Sequence, residues 1–206
     1  MFNDRYGLTK AVLDGTKTMT RRVIPELLNV EDHDIIDWGL TDGGKAMITL
    51  YEGGRPTTDI FPAYQPGEVV AVAQSYKSVF AESLNYPLSR YHWLVDHIVE
   101  KGYENKMFVK ASEMPHQIQI TDIKVERLQD CSDDDILKEG IFQISAPTYR
   151  HYNGIGYTFK GWTDRGVECS SDTPKGAFKA LIDKTCGRGT FESNPYVFAY
   201  SFKLLD

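Results

Sequence analysis

Residues 116–130, HQIQITDIKVERLQD, carry the strongest strand pattern in the chain. Apolar residues alternate with polar ones up to Ile120; the alternation slips by one at Thr121 and resumes from Ile123 with the opposite parity. Because successive side chains of a β-strand point to opposite faces, a slip of one residue inside a strand predicts a β-bulge or the corner of a barrel. We therefore expect a long strand here that bends near its middle.

Further strands and several helices are predicted on both sides of this strand. The predicted strands cover residues 18–24, 34–40, 45–54, 69–76, 116–130 and 194–205. The turn TDGG at residues 41–44 predicts a hairpin, and the almost continuous apolar run at 69–76 favours a central strand. Short helices are predicted at residues 3–14, at 132–140 and from residue 173.

These elements predict a β-rich α+β domain of about six or seven strands with short peripheral helices. A small pseudo-barrel closes such strands and removes sheet edges. The domain is expected to span residues 1–206, with insertions near 77–116 and 141–172. We expect one helix near residues 94–101 in the first insertion. The second is rich in Gly, Tyr and Ser without a period, so we expect it to be irregular, and either disordered or functional.

Composition limits the classes of function. A chain of 206 residues that is 41% hydrophobic is long enough for one compact core. Its net charge of −6 argues against a protein that coats nucleic acid through a general basic surface, and leaves only local basic stretches such as TRR at residues 20–22. The sequence carries no apolar run of membrane-spanning length, which favours a soluble, cytoplasmic protein without a membrane partner.

The sequence does not favour a metal or a phosphate-binding cofactor. Its three cysteines are widely spaced without a C-x-x-C motif, which fits a reducing compartment better than a disulfide framework or a zinc site. His92 and His97 are five residues apart, a spacing that does not align two ligands on a helix. No glycine-rich phosphate loop precedes a helix. We therefore expect no cofactor and no metal.

The basic stretch DGTKTMTRR at residues 14–22 has two interpretations. It is either an exposed turn followed by strand-forming threonines, or one wall of a functional cleft. Gly15 is expected to end the first helix in the left-handed conformation. If the chain still turns beyond this glycine, the amine of Lys17 can meet the hydroxyl of Thr20, which is a poor nucleophile unless a base takes its proton.

Strand parity separates the two arginines of this stretch. Arg22 shares a face with Thr20, whereas Arg21 is expected on the outer face, where a solvated charge contributes little. Glu139 is predicted in the last turn of a helix, where the helix dipole disfavours an anion. Its carboxylate is therefore either solvated or held by a basic partner, for which Lys17 and Arg22 are the candidates.

Taken together, the motifs resemble the ASCH domain family. AVLDGTKTMTRRVI at residues 11–24 is similar to its G-x-K-x-x-T-x-R hallmark, with Gly15, Lys17, Thr20 and Arg22 at the four positions. Two further segments are similar to this family, YQPGEVVAV at residues 64–72 and ITDIKVERLQDCSDDDILKEGI at 120–141. The segment AFKALIDKTCGRGTFESNPYVFAYSFK at 177–203 resembles the ending of its longer members, which are common in phages and prophages.

This resemblance implies a PUA-like β-barrel and a nucleoside or RNA ligand. Some small ASCH proteins are amidohydrolases that remove an acetyl group from the exocyclic nitrogen of a modified cytidine. Their catalytic lysine, threonine and glutamate correspond to Lys17, Thr20 and Glu139. Another member is a ribonuclease, and the wider fold class binds RNA. Longer relatives carry VRETW where this chain reads VAQSY at residues 72–76, so an arginine and a glutamate that could contact substrate are missing.

Two functions of different class follow from these expectations. The first is hydrolysis of an N-acyl modified pyrimidine nucleoside, with Thr20 as nucleophile, Lys17 as its base and Glu139 positioning the lysine. The second is a non-catalytic RNA-binding module or a ribonuclease-like protein. The expected partner is RNA or a nucleoside or nucleotide, and the oligomeric state stays open. The candidate ligand-binding residues outside the catalytic set are Arg22, Gln74, Tyr76, Tyr157 and Trp162, with Tyr149 and Tyr152 as further aromatic candidates.

Overall fold

The computed structural model describes residues 2–28, 36–41, 43–52, 54–83, 96–145, 155–160 and 171–205. It is a β-rich α+β fold in which a curled sheet forms half of a barrel, with short helices around it. The described strands are β1 (Met19–Val23), β2 (Ile36–Leu40), β3 (Ala46–Glu52), β4 (Arg55–Ile60), β5 (Val69–Ala71), β6 (Gln117–Arg127), β7 (Ile141–Ser145), β8 (Ile155–Phe159) and β9 (Tyr196–Leu205). The described α-helices are α1 (Leu8–Leu13), α2 (Tyr76–Ser83), α3 (Asp133–Leu137) and α4 (Pro174–Thr185).

The largest sheet is antiparallel, has the order β1-β9-β6-β5 and is bent at a β-bulge in β6. The pairing passes from Ile120 opposite Phe202 to Asp122 opposite Ser201, so Thr121 is the extra residue. The bulge confirms the slip seen in the sequence, and such an insertion increases the local twist of a sheet. It lets β6 carry apolar residues to the same core on both sides of the bend.

The inner face of this sheet packs against a smaller sheet with the order β2-β3-β4. Ile48 of β3 and Ile60 of β4 share one buried cluster with Ile120, Phe198 and Tyr200 of the large sheet. The β2–β3 hairpin confirms the sequence prediction. We did not predict β4, which includes Pro56; proline is tolerated there because β4 lies at the sheet edge.

The outer face of the large sheet is covered by α3, α4 and the hairpin β7–β8. Ile136 of α3, Phe178 of α4 and Phe159 of β8 form a second buried cluster with Val197 of β9. Thr173 caps α4 by accepting from the N–H of Gly176, which confirms the predicted helix start. The prediction that residues 141–172 are irregular is wrong where this segment is described, since both strands of the hairpin fall within it.

Three further predictions about elements need correction. The expected central strand at residues 69–76 is instead the three-residue edge strand β5, and Tyr76 begins α2. The helix expected at residues 3–14 is interrupted at Gly7, whose φ of 63° separates a 3-10 turn from α1. The helix expected near residues 94–101 is described only from residue 96 onward, as a short 3-10 turn followed by further turns.

The structure therefore has more elements than expected. Nine strands and four α-helices are described, against a prediction of six or seven strands and three helices, besides the helix expected near residues 94–101. No helix within the described ranges is long and apolar enough to cross a membrane.

Candidate functional site

Main-chain hydrogen bonds bring the turn after α1 to the end of α3. Gly15 has a φ of 71°, as predicted, and turns the chain so that the N–H of Lys17 donates to the carbonyl of Ala11 at 2.9 Å. The carbonyl of Lys138, at the end of α3, accepts from the N–H groups of both Thr18 (2.9 Å) and Met19 (3.1 Å). These bonds fix the start of β1 against a segment more than 100 residues later in the chain.

This backbone link makes Lys17 and Glu139 neighbours in an isolated antiparallel bridge. The Lys17 ammonium donates to Glu139 Oε2 at 2.5 Å, to the Glu139 carbonyl at 2.9 Å and to the Met19 carbonyl at 2.8 Å. Both side chains are almost inaccessible, with exposed fractions of 1% and 5%. A lysine ammonium has three N–H donors, and here each donor has an acceptor.

Gly140 permits this placement of Glu139. The glycine has a φ of 91°, a backbone angle that residues with a Cβ rarely adopt, and turns the chain from α3 into β7. An added Cβ would lie 3.5 Å from Ala11 and 3.6 Å from the Cβ of Lys17. The Glu-Gly pair at the end of α3 therefore directs the carboxylate back toward β1.

Arg21 is the second cation at Glu139. It lies on the outer face of β1, as predicted, but the prediction that it is solvated there is wrong. Its NH1 donates to Glu139 Oε1 at 2.9 Å and its Nε donates to Glu126 Oε1 at 2.8 Å. The side chain is 1% exposed because α3 and α4 cover this face of β1. Its guanidinium carbon lies 5.6 Å from the ring centroid of Phe178. The expected partner, Arg22, lies on the opposite face of β1 and is exposed.

The two buried cations respond differently to their surroundings. Burial lowers the pKa of Lys17, and the nearby charge of Glu139 opposes this effect. For Arg21, burial also disfavours the charge, but Glu139 and Glu126 together outweigh it and raise the pKa of the guanidinium. Arg21 therefore stays cationic, whereas Lys17 is the member of the cluster whose proton is more easily removed.

A second layer of charges surrounds this cluster on its solvent side. Asp135 of α3 accepts from Lys124 at 2.5 Å and from Lys138 at 2.9 Å. These hydrogen bonds lower the pKa of Asp135 to about 2. Lys124 also lies 3.0 Å from Glu126, so the outer layer is connected to Arg21 through that carboxylate.

A cleft of about 640 Å³ opens beside β1, and we call it the β1 cleft. Its lining includes Lys17, Thr20, Arg22 and Glu139, together with residues of the N-terminal segment, of the first insertion and of α4. Thr20 and Arg22 share one face of β1, as predicted, while Arg21 is on the other. The cleft reaches both faces because β1 is the edge strand of its sheet. No hydrogen bond joins the Thr20 hydroxyl to Lys17 in this described region.

The first insertion forms a wall of the β1 cleft that sequence reasoning did not identify. Lys106 donates to Asp4 at 2.7 Å and to Thr9 at 3.0 Å, and also contacts the carbonyl of Phe2. These contacts hold residues 104–107 against the N-terminal segment. No signal in the sequence links these two segments.

Gln74 and Tyr76, expected to bind ligand, do not line the β1 cleft. Tyr76 is 0% exposed, its ring stacks on His97 with a centroid distance of 4.3 Å, and its hydroxyl donates to Glu113 at 2.6 Å. A ring buried in this way cannot stack on a base. Gln74 is also buried and donates to Glu82 at 3.1 Å, beside a different groove.

Tyr157, the aromatic candidate of the second insertion whose position is described, does not line the β1 cleft either. Tyr157 lies in β8, paired with Gln143 of β7, and packs against the outer cluster of the core. Trp162, Tyr149 and Tyr152 lie outside the described residues. Arg21 is the functional candidate that we missed, and its signal was Met19, an apolar residue two positions earlier that shares its face.

Among the residues with described positions, no group of three or more His, Cys, Asp or Glu side chains is placed to hold a metal ion. Comparison of the chain with protein-family models, with curated proteins and with solved structures finds no match. The chemistry of the site therefore has to be inferred from its own residues.

The burial of Arg21 predicts a large difference between two neighbouring substitutions. Arg21→Ala should lower the free energy of unfolding by about 3–5 kcal/mol, because it leaves Glu139 and Glu126 short of a buried partner. Arg22→Ala, the matched control at an exposed side chain on the opposite face of β1, should change it by less than about 1 kcal/mol. Urea unfolding of both variants measures the difference. Equal effects would mean that Arg21 is not the buried cation of the cluster.

Proposed function

We propose that this chain is an ASCH-family protein with a PUA-like barrel that binds a modified pyrimidine nucleoside, free or within RNA, in the β1 cleft and hydrolyses its N-acyl group. The observation that carries the proposal is the position of Thr20 in a nucleoside-sized cleft that also contains the buried pair Lys17–Glu139. All three residues correspond to motif positions of the family that the sequence resembles.

The size and lining of the β1 cleft support a small, mixed ligand. Its volume of about 640 Å³ lies within the range of roughly 300–1,000 Å³ that is typical of small-molecule sites. The ring of Phe2 offers a surface on which a base can stack, and Arg22 offers donors to a carbonyl or phosphate oxygen. Arg21 and Phe178 of the lining are buried, which leaves the exposed Arg22 and the ring of Phe2, and these suit a single nucleotide unit better than a long phosphate backbone.

The proposed reaction uses Thr20 as nucleophile. The neutral amine of Lys17 takes the proton of the Thr20 hydroxyl as the oxygen adds to the amide carbonyl carbon. The carbon–nitrogen bond then breaks, the exocyclic nitrogen takes that proton from Lys17, and the free nucleoside leaves. Water hydrolyses the remaining threonine ester to the carboxylic acid and restores the hydroxyl. Arg22 stabilises the negative charge on the carbonyl oxygen.

Glu139 and Arg21 act through Lys17 in this scheme. Burial lowers the pKa of Lys17, which favours the neutral amine that a base requires. The carboxylate of Glu139 holds the amine at 2.5 Å, and Arg21 holds the other oxygen of the same carboxylate at 2.9 Å. Although no hydrogen bond joins Lys17 to Thr20 in the free protein, catalytic hydrogen bonds often form only when a substrate closes the site.

Removing the Thr20 hydroxyl tests this function. Thr20→Ala should lower the rate of cytidine release from N4-acetylcytidine at least about 1,000-fold, because the nucleophile is lost. Thr18→Ala, two residues earlier and outside the lining of the β1 cleft, should keep the rate within about threefold. Chromatographic assay of released cytidine gives both values. Equal rates in Thr20→Ala and the unchanged protein would exclude Thr20 as the nucleophile.

A second candidate, a non-catalytic RNA-binding module, is favoured by the saturation of Lys17. All three donors of its ammonium are satisfied, by Met19 and by two oxygens of Glu139, and this stabilises the charged form. A lysine held in this way is a structural cation rather than a base. In that case the β1 cleft recognises a base or nucleotide without breaking a bond.

The salt dependence of RNA affinity tests the second candidate. With a net charge of −6, the protein should contact only about two or three phosphates, so log Kd should change with log salt concentration with a slope of about 2 or less in magnitude. Fluorescence anisotropy with a short single-stranded RNA measures this slope, and Arg22→Ala should weaken binding. A slope steeper than about 5 would require an extended basic surface and would contradict the proposed local site.

A further inference from the structure

A second cavity, of about 150 Å³, lies on the inner face of the large sheet, and we call it the inner chamber. Its walls come from the central strands and from β5, with Ile118, Ile120, Phe202 and Val70 among the lining side chains. The pairing of Ile120 with Phe202 and of Ile118 with Val70 puts these side chains on one face of the sheet. The chamber is thus a gap in the core of the half-barrel.

The inner chamber and the β1 cleft meet at Thr20. Three residues line both cavities: Phe2, Thr20 and Arg22. Thr20 is paired with Tyr200 of β9 and therefore faces the same side of the sheet as the chamber walls. Thr20 therefore lies at the point where a ligand would pass from the β1 cleft, which has charged side chains in its lining, into the apolar chamber.

The walls of the inner chamber match an apolar group of limited size. The Tyr200 hydroxyl accepts from the N–H of Ala63 at 3.1 Å, so it already has a partner. The remaining polar lining groups come from Thr20 and Arg22 at the junction and from Tyr64. An engineered apolar cavity of about 150 Å³ in another protein stays dry and binds benzene. The inner chamber has a similar volume and mostly aliphatic and aromatic walls.

We propose that the inner chamber binds the acyl group of the substrate, so that the enzyme prefers amides of aromatic or branched acids of about six or seven carbons over acetyl amides. The nucleoside occupies the β1 cleft, the acyl group enters the chamber, and the amide carbonyl lies at Thr20 between them. This inference rests on the proposed hydrolysis, because only a substrate of that reaction carries an acyl group that would extend beyond Thr20. The chemical steps of the hydrolysis are the same for these larger acyl groups as for an acetyl group.

Ala73 provides a substitution that fills the inner chamber. It lines the chamber and does not line the β1 cleft. Ala73→Leu adds three carbons to the chamber wall. Ala81→Leu is the matched control, since Ala81 is exposed on α2. Circular dichroism melts establish that both variants fold, and Ala73→Val replaces Ala73→Leu if the larger side chain prevents folding.

The first experiment compares N4-benzoylcytidine with N4-acetylcytidine. In the unchanged protein kcat/KM should be at least about tenfold higher for the benzoyl substrate, because an acyl group that fills an apolar pocket raises kcat/KM by about that factor or more. Ala73→Leu should lower kcat/KM for the benzoyl substrate at least about tenfold and change that for the acetyl substrate less than about threefold. Ala81→Leu should change neither. A preference for acetyl, or an equal loss on both substrates in Ala73→Leu, would overturn the inference.

The second experiment separates failure of the chamber from failure of the reaction. Benzene binding, followed by protein NMR, should be seen in the unchanged protein and in Ala81→Leu and lost in Ala73→Leu. If benzene binds in this pattern but neither cytidine is hydrolysed, the proposed function fails and an apolar binding site remains. If the acetyl substrate is hydrolysed but benzene does not bind, the proposed function stands and the inner chamber is not an acyl site.

Discussion

The buried carboxylate of Glu139, held between Lys17 and Arg21, is the interaction on which the site depends. A carboxylate that is almost fully buried is stable only if its charge is paired and its oxygens are hydrogen-bonded. Here each oxygen accepts from a different cation, and the two cations lie on either side of Met19 at the start of β1. The pairing therefore joins the turn after α1, the edge strand and the end of α3 across 122 positions of sequence.

This arrangement divides the edge strand β1 between two environments. Its outer face carries the ionic cluster beneath α3 and α4, whereas its inner face carries Thr20 and Arg22 toward the core of the half-barrel. Because β1 pairs with a single strand among the described residues, the β1 cleft can extend around its other edge and reach both faces. A threonine at that edge lies between a cleft with charged side chains in its lining and an apolar chamber, and this position underlies both the proposed reaction and the proposed acyl site.

Local patterns in the sequence predicted the features that local geometry determines. The bulge at Thr121 follows from a change of parity, the turn at Gly15 from a residue that tolerates positive φ, and the start of α4 from Thr173 and Pro174. For the burial of Arg21, the only local signal that we identified is Met19 on the same face, and its partners could not be predicted in this way, because the helices that cover it lie more than 100 residues further along the chain.

The interior position of Tyr76 has a similar cause, since it depends on His97 and Glu113 of an insertion without a clear pattern. A double-mutant cycle on Lys17→Met and Glu139→Gln tests the central claim most directly. Free energies of unfolding from urea titrations should give a coupling of at least about 2 kcal/mol, with the double variant close in stability to the less stable single variant or above it. Additive losses, within about 0.5 kcal/mol, would show that the two charges do not stabilise one another and would contradict the account.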